Sequence, residues 1–223
     1  MDVGEEIRSF KVRAGRLGPV SQDARARLWP VFGEQPPYTG LVRDLPLVLE
    51  IGSGMGEATA AMALADPGRD LLAVEVHPAG VAALLRRIEE HGLTNVRVVQ
   101  DDAVAVLEAL PAQSLAEVRL FFPDPWPKAK HAKRRLLRPT FVALLARTLA
   151  PGARLHLTTD CVPYVGHALQ VLHGWRIELP DRPADRPLTR FEQQGLVAGR
   201  TITDVYAVPP NVPGRATCDR NDG

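Results

Sequence analysis

Residues 47–65 read LVLEIGSGMGEATAAMALA, and the architecture follows from them. Leu47–Ile51 is an apolar run of strand length, interrupted by one acid, Glu50. Gly52, Gly54 and Gly56 follow at once, and small or apolar residues then continue at helical length over Glu57–Ala65. Glycines let a backbone turn sharply and pass close to a ligand. The helix behind them aims the positive end of its dipole at the same place.

Outward from this unit, the alternation repeats. Strands are predicted over 71–76, 96–100, 117–122, 153–159, 175–179 and 201–208. Helices are predicted over 78–90, 103–110, from Pro139 to about Leu149, and over 162–173 and 188–197. Pro78 and Pro139 suit first helical turns, and Pro151-Gly152 is expected to close the helix before it. Strand–helix alternation implies an α/β fold, a mostly parallel seven-stranded sheet with helices on both faces. Residues 1–45 have no clear period and read as a basic arm with one short helix, Ser21–Leu28, capped by Ser21 with Asp23 in its first turn. Residues 46–209 form the domain, and 210–223 a frayed tail.

Composition narrows the function classes. The 223 residues are 45% hydrophobic and 24% charged, with a net charge of +1, which excludes overall disorder and binding to nucleic acid by bulk charge alone. Two cysteines, Cys161 and Cys218, make neither a disulfide framework nor a zinc site, so no metal is expected. No apolar run approaches the roughly 20 residues needed to span a bilayer. The N-terminal MDVGEEIRSFKVRAGR has no signal-peptide core. A cytoplasmic, reducing compartment is expected, with no membrane partner.

In such sheets the ligand lies beyond the carboxyl ends of the strands. Glu50 interrupts a buried strand, where an unpaired carboxylate is expensive, and is expected to accept hydrogen bonds from a ligand or from loop amides. Glu75 ends the second strand, about twenty residues past the glycines, where an acid can take both hydroxyls of a ribose. Asp101 and Asp102 end the third. Asp101 is read as a helix cap or a solvent group, and Asp102 as a group for the cofactor's adenine. Gly56 stands one place too early for a dinucleotide fingerprint. A glycine turn with acids after three strands fits S-adenosylmethionine better than a nicotinamide.

The fourth strand runs into Phe121-Phe122-Pro123-Asp124-Pro125-Trp126-Pro127-Lys128. Three prolines stiffen this loop, which presents Asp124 and Trp126 at the reacting end of the sheet. Residues 126–138 then carry six Lys or Arg and no acid. A basic run joined to an active-site loop points to a phosphate-rich substrate. Arg8, Lys11, Arg13 and Arg16 are expected to form a second wall of the same groove.

Together LEIGSGMG, VEVHPAG, the Asp102-Ala103 pair, FFPDPWPKxKHxKRR, PGARLHLTTD and TRFEQQG resemble the bacterial tRNA (guanine-N7-)-methyltransferase family over residues 8–208. The resemblance implies a Rossmann-like class I methyltransferase fold. It implies S-adenosylmethionine held by Glu50, Glu75, Asp102 and Asp124, over the turn of Gly52, Gly54 and Gly56. Asp124 is read as catalytic, and either Asp124 or Asp160 is expected to orient the guanine and stabilise its charge. Substrate contacts are implied for Lys128, Asp160, Thr189, Arg190, Phe191 and Glu192. RNA contacts are implied for Lys130, His131, Ala132, Lys133, Arg134 and Arg135. The implied target is guanine 46 of the tRNA variable loop, and the protein is expected to be a monomer or homodimer. Lys130 stands where the family more often has Arg, Arg190 where Lys is common, and Cys161 where Trp or Asn is usual. A methyltransferase for a small metabolite would share the acids but not need the basic run. A non-catalytic RNA-binding module would need the basic run but not the acids.

Overall fold

The computed structural model describes residues 16–36, 38 and 45–210. Its elements run in the order α1 (Pro19–Phe32), β1 (Gly33–Glu34), β2 (Leu47–Ile51), α2 (Glu57–Ala65), β3 (Asp70–Val74), α3 (Pro78–Glu90), β4 (Val96–Val99), α4 (Ala103–Ala109) and β5 (Leu115–Phe121). A 3-10 turn (Ala129–Arg134), α5 (Pro139–Thr148), β6 (Leu149–Thr159), α6 (Val162–Val171), β7 (Arg176–Glu178), α7 (Arg190–Val197) and β8 (Thr203–Val208) complete it.

The sheet has eight strands in the order β1-β4-β3-β2-β5-β6-β8-β7, one more than expected. The extra strand is β1, whose two residues pair in parallel with Val98 and Val99 of β4. Two residues are too few to show a period in the sequence. β8 runs antiparallel to both its neighbours, and the remaining pairings are parallel. Strand order reverses between β2 and β5, where Ile51 stands opposite Leu120. That reversal opens a crevice at the carboxyl edge of the sheet.

Both faces of β2 and β3 are covered, so their sequences are continuous apolar runs rather than alternating ones. Leu47, Leu49, Ile51, Leu72 and Val74 pack toward α4, α5 and α6. Val48, Leu71 and Ala73 pack toward α1, α2 and α3. Full burial of each such Leu or Val side chain stabilises the fold by roughly 1.5–3 kcal/mol.

Three expectations are corrected. The first helix is longer than Ser21–Leu28, because Pro19 takes the first helical position and Gly18, not Ser21, is its cap. It also belongs to the body of the fold: Ala24 and Leu28 lie in the core against α3, and β1 behind it joins the sheet. Pro151-Gly152 does not end α5, which closes at Thr148, and instead lies inside β6. Arg8, Lys11 and Arg13 of the predicted second wall and Cys218 of the tail fall outside the described residues.

Candidate active site

The turn after β2 is built on three left-handed glycines, with φ of +77° at Gly52, +56° at Gly54 and +78° at Gly56. It is pinned by the Gly52 amide donating to the Val74 carbonyl at 2.8 Å and the Gly56 amide to Ser53 at 2.9 Å. A methyl group at Gly52 or Gly54 would meet nothing within 4 Å, so both are left-handed beside open space. At Gly56 it would come within 2.7 Å of Leu84 of α3. Gly80, also on α3, is equally constrained: a methyl there would lie 2.5 Å from the Gly54 carbonyl oxygen. Gly80 closes the VEVHPAG motif, but sequence reasoning gave it no role, because only the fold brings α3 against the turn.

The predicted acids gather at this edge but hold different posts. Glu75 lines the cleft and fastens the turn, its two oxygens accepting from the Gly54 and His77 amides, each at 2.8 Å. Glu50 is not among the cleft-lining residues. It is buried below the turn and accepts a 2.6 Å hydrogen bond from Thr59. Burial pushes its carboxyl above the ordinary range and the Glu75 charge adds to this, while Thr59 and Arg119 pull it part of the way back. Of the two acids after β4, Asp102 is the cap, accepting from the Val104 amide at 2.9 Å. Asp101, read as a helix cap or a solvent group, instead accepts from the Tyr38 hydroxyl at 2.6 Å and the Asp102 amide at 2.7 Å. Both line the cleft. Tyr38 is a second residue that sequence reasoning missed, since nothing in its neighbourhood announces a partner 63 positions away.

The proline loop closes the cleft opposite Glu75. Phe122 and Trp126 have φ of +49° and +41°, a conformation rare for bulky residues and costing on the order of 1–3 kcal/mol each. Neighbouring groups hold them there. The Phe122 amide donates to Thr158 at 2.7 Å. The Trp126 ring lies under the Arg134 guanidinium at 5.0 Å and edge-on to His131 at 5.8 Å. Asp124, between them, is exposed and lines the cleft.

The basic run divides into two sets. Lys128, Lys130 and Lys133 are exposed, and His131, Ala132 and Arg134 are half-buried. Arg135, expected to face RNA, is buried and turned inward, its Nε 3.1 Å from the Pro125 carbonyl oxygen.

Apart from Lys128, which stands at the start of the basic turn, the residues assigned to substrate form a second group beside β6. Asp160 pairs with Arg200 at 3.0 Å, and Gly195 of α7 packs against it. Thr189 caps α7 by accepting from the Glu192 amide at 3.1 Å. Arg190 and Phe191 are exposed, but Glu192 is turned into the protein. Arg186 grips its two oxygens at 2.6 and 2.9 Å, and Arg182 reaches one at 2.8 Å. Burial works against the Glu192 charge, yet these arginines outweigh it and hold its carboxyl below the ordinary range. Arg186 also donates to Asp204 of β8 at 3.1 Å, and Asp204 accepts from Thr158 at 2.7 Å.

The cleft fits S-adenosylmethionine on its own chemistry. Ile51, Val74, Val76 and Leu120 offer apolar walls to a purine. Glu75, Asp101, Asp102 and Asp124 offer acceptors for ribose hydroxyls and an exocyclic amine, and negative charge for a sulfonium. Among the described residues there is no group of His, Cys, Asp and Glu suited to a metal ion. No helix there is long and apolar enough to cross a membrane.

Comparison with known proteins agrees with this chemistry. Residues 44–205 match the model of a family described as "Putative methyltransferase". A tRNA (guanine-N(7)-)-methyltransferase of Nitrosospira multiformis is 47% identical over 214 residues, covering 89% of this chain and 93% of that protein. Its counterpart in Halorhodospira halophila is 43% identical over 232 residues, covering 96% and 100%. Among solved structures, the 16S rRNA methyltransferase KamB superposes with a TM-score of 0.55 at 15% identity, covering 79% of this chain and 94% of that one. This likeness establishes the shared Rossmann-like fold. Matched along nearly its whole length, the chain belongs to the tRNA (guanine-N7-)-methyltransferase family.

Proposed function

We propose that the protein transfers a methyl group from S-adenosylmethionine to N7 of a guanine in tRNA, at guanine 46 of the variable loop. The observation that carries this reading is continuity. The acid-lined cleft and the exposed Lys128, Lys130 and Lys133 are joined by one stiff loop bearing Asp124. A small-metabolite enzyme would have no use for that junction, nor would a module that only binds RNA.

The cofactor supplies an electrophilic sulfonium methyl. Guanine N7 has a free lone pair and no proton to lose, so no strong general base is required. The protein's task is to hold N7 in line with that methyl. Glu75 and Asp102 anchor the nucleoside, and the open room above Gly52 and Gly54 admits the rest of the cofactor. Asp124, and Asp160 just after β6, offer acceptors for the guanine N1–H and amino group and stabilise the positive charge that the base gains. Lys130, His131, Lys133 and Arg134 take phosphates, with Ala132 at the turn between them. Lys128, Thr189, Arg190 and Phe191 surround the target nucleotide.

The test is to incubate the protein with methyl-labelled S-adenosylmethionine and an unmodified tRNA transcript, then map the labelled base. We expect 7-methylguanine at position 46 and its loss when that guanine is replaced. Asp124→Ala should lower kcat by about 10²–10³-fold, the scale of losing one well-placed electrostatic group. Label on another base, or none on tRNA, contradicts the reading; near-normal turnover of Asp124→Ala removes its catalytic role.

A further inference from the structure

The basic run contains one residue that cannot do what its neighbours do. Arg135 is 8% exposed, whereas Lys130 and Lys133 on the same turn are exposed. Its guanidinium sits 5.8 Å from the centre of the Tyr164 ring, which is itself fully buried. From there it donates through Nε to the Pro125 carbonyl at 3.1 Å and through a terminal nitrogen toward the Trp126 carbonyl at 3.4 Å. These are the two carbonyls directly after Asp124, and Trp126 is one of the two strained residues of the loop. The Arg135 amide also closes the 3-10 turn on Ala132 at 3.0 Å.

We infer that Arg135 is a positioning residue rather than a phosphate contact: it clasps the Pro125 and Trp126 carbonyls and so holds Asp124 over the cleft. The inference rests on the methyl-transfer reading of the same site. Chemistry selects arginine for this post. Two adjacent carbonyls need donors in a planar fork, and guanidinium has one, whereas an ammonium is a single compact donor site. The clasp also links the two halves of the site. Arg134 and His131 hold the Trp126 ring from the same turn whose lysines face solvent, so displacement of that turn by bound RNA reaches the Asp124 loop directly.

The test compares Arg135→Lys and Arg135→Gln with Lys133→Ala in the full chain. Trp29 and Trp175 are first replaced by Phe, so that emission reports Trp126 alone. A clasp predicts that both Arg135 variants raise acrylamide quenching of Trp126 without cofactor or tRNA present. It also predicts that kcat at saturating tRNA falls about 10²-fold, the scale of a small misplacement of a reacting group. The salt dependence of tRNA binding should stay as in the parent. Arg135→Lys keeps the charge and the aliphatic stem, so it decides the matter if the Gln variant melts early. A phosphate contact predicts the reverse: Arg135→Gln lowers the salt slope by about one, as Lys133→Ala should, with Trp126 and kcat unchanged. That result overturns the inference, as does unchanged quenching in both variants. Because the quenching needs no turnover, it stands apart from a failure of the methyl-transfer reading itself.

Discussion

Gly56 and Glu50, six positions apart, are fixed by opposite constraints. Gly56 has a left-handed backbone and no room for a methyl beside Leu84, including its main chain at 2.9 Å. Gly56→Ala is expected to cost roughly 1–3 kcal/mol in denaturant titration and to weaken cofactor binding by distorting the turn. Glu50 is constrained by chemistry instead, an ionisable carboxyl buried in the interior. Its carboxyl is raised above the ordinary 4.5 when folded, so the native state holds that proton more tightly than the unfolded chain does. The associated stability is therefore full in acid and lost as the pH climbs through the raised value. Glu50→Gln, which keeps an acceptor for Thr59, should equal the parent near pH 4 and be more stable at neutral pH, measured without ligand by denaturation across a pH series. At this scale the sequence was informative about acids at strand ends, because a charge inside an apolar run demands a reason. It was silent on Tyr38 and grouped Arg135 with the RNA contacts. Whether one basic residue among six faces water or the loop beneath it is decided by packing, and no local pattern carries that.

The element that owes most to its partners is α7. Its Thr189-x-x-Glu192 start is a cap visible in the sequence, and its span was predicted to within two residues. Its docking was not visible, since Arg186, Glu192 and Asp204 come from three separate segments. Arg186→Met should cost about 3–5 kcal/mol in thermal or chemical unfolding, because it strands two buried carboxylates without their shared cation. The pH profile should shift with it. The folded Glu192 carboxyl is held below its ordinary 4.5, so its stabilising contribution is present above that value and fades as the pH falls through the lowered one. In the Met variant this acid-side loss should disappear. If Arg186→Met instead left the midpoint unchanged, α7 would owe its place to apolar packing. The short β1 marks the opposite limit of legibility. Strands that bury both faces stand out in a sequence, whereas a two-residue strand made by pairing alone does not.

For the molecule as a whole, a net charge of +1 conceals a separation. Carboxylates collect in the cleft, and exposed lysines collect on the turn beside it. Removing one lysine from that turn, as in Lys133→Ala, should reduce the slope of log affinity for tRNA against log salt by about one and leave cofactor binding unchanged. Filter binding at several salt concentrations checks this, and an unaltered slope would place the RNA elsewhere. The overall architecture was legible because alternation and glycine turns are repeated signals. The sheet's two borders carry a different message. One border is β1, of two residues, and the other is β7, of three, with Arg176 and Glu178 outward. Borders this short present few unpaired amides and carbonyls to another chain, and charge at one of them repels a flat apolar strand. The chain is thereby guarded against edge-to-edge stacking, the route by which a sheet with long bare margins turns into an aggregate.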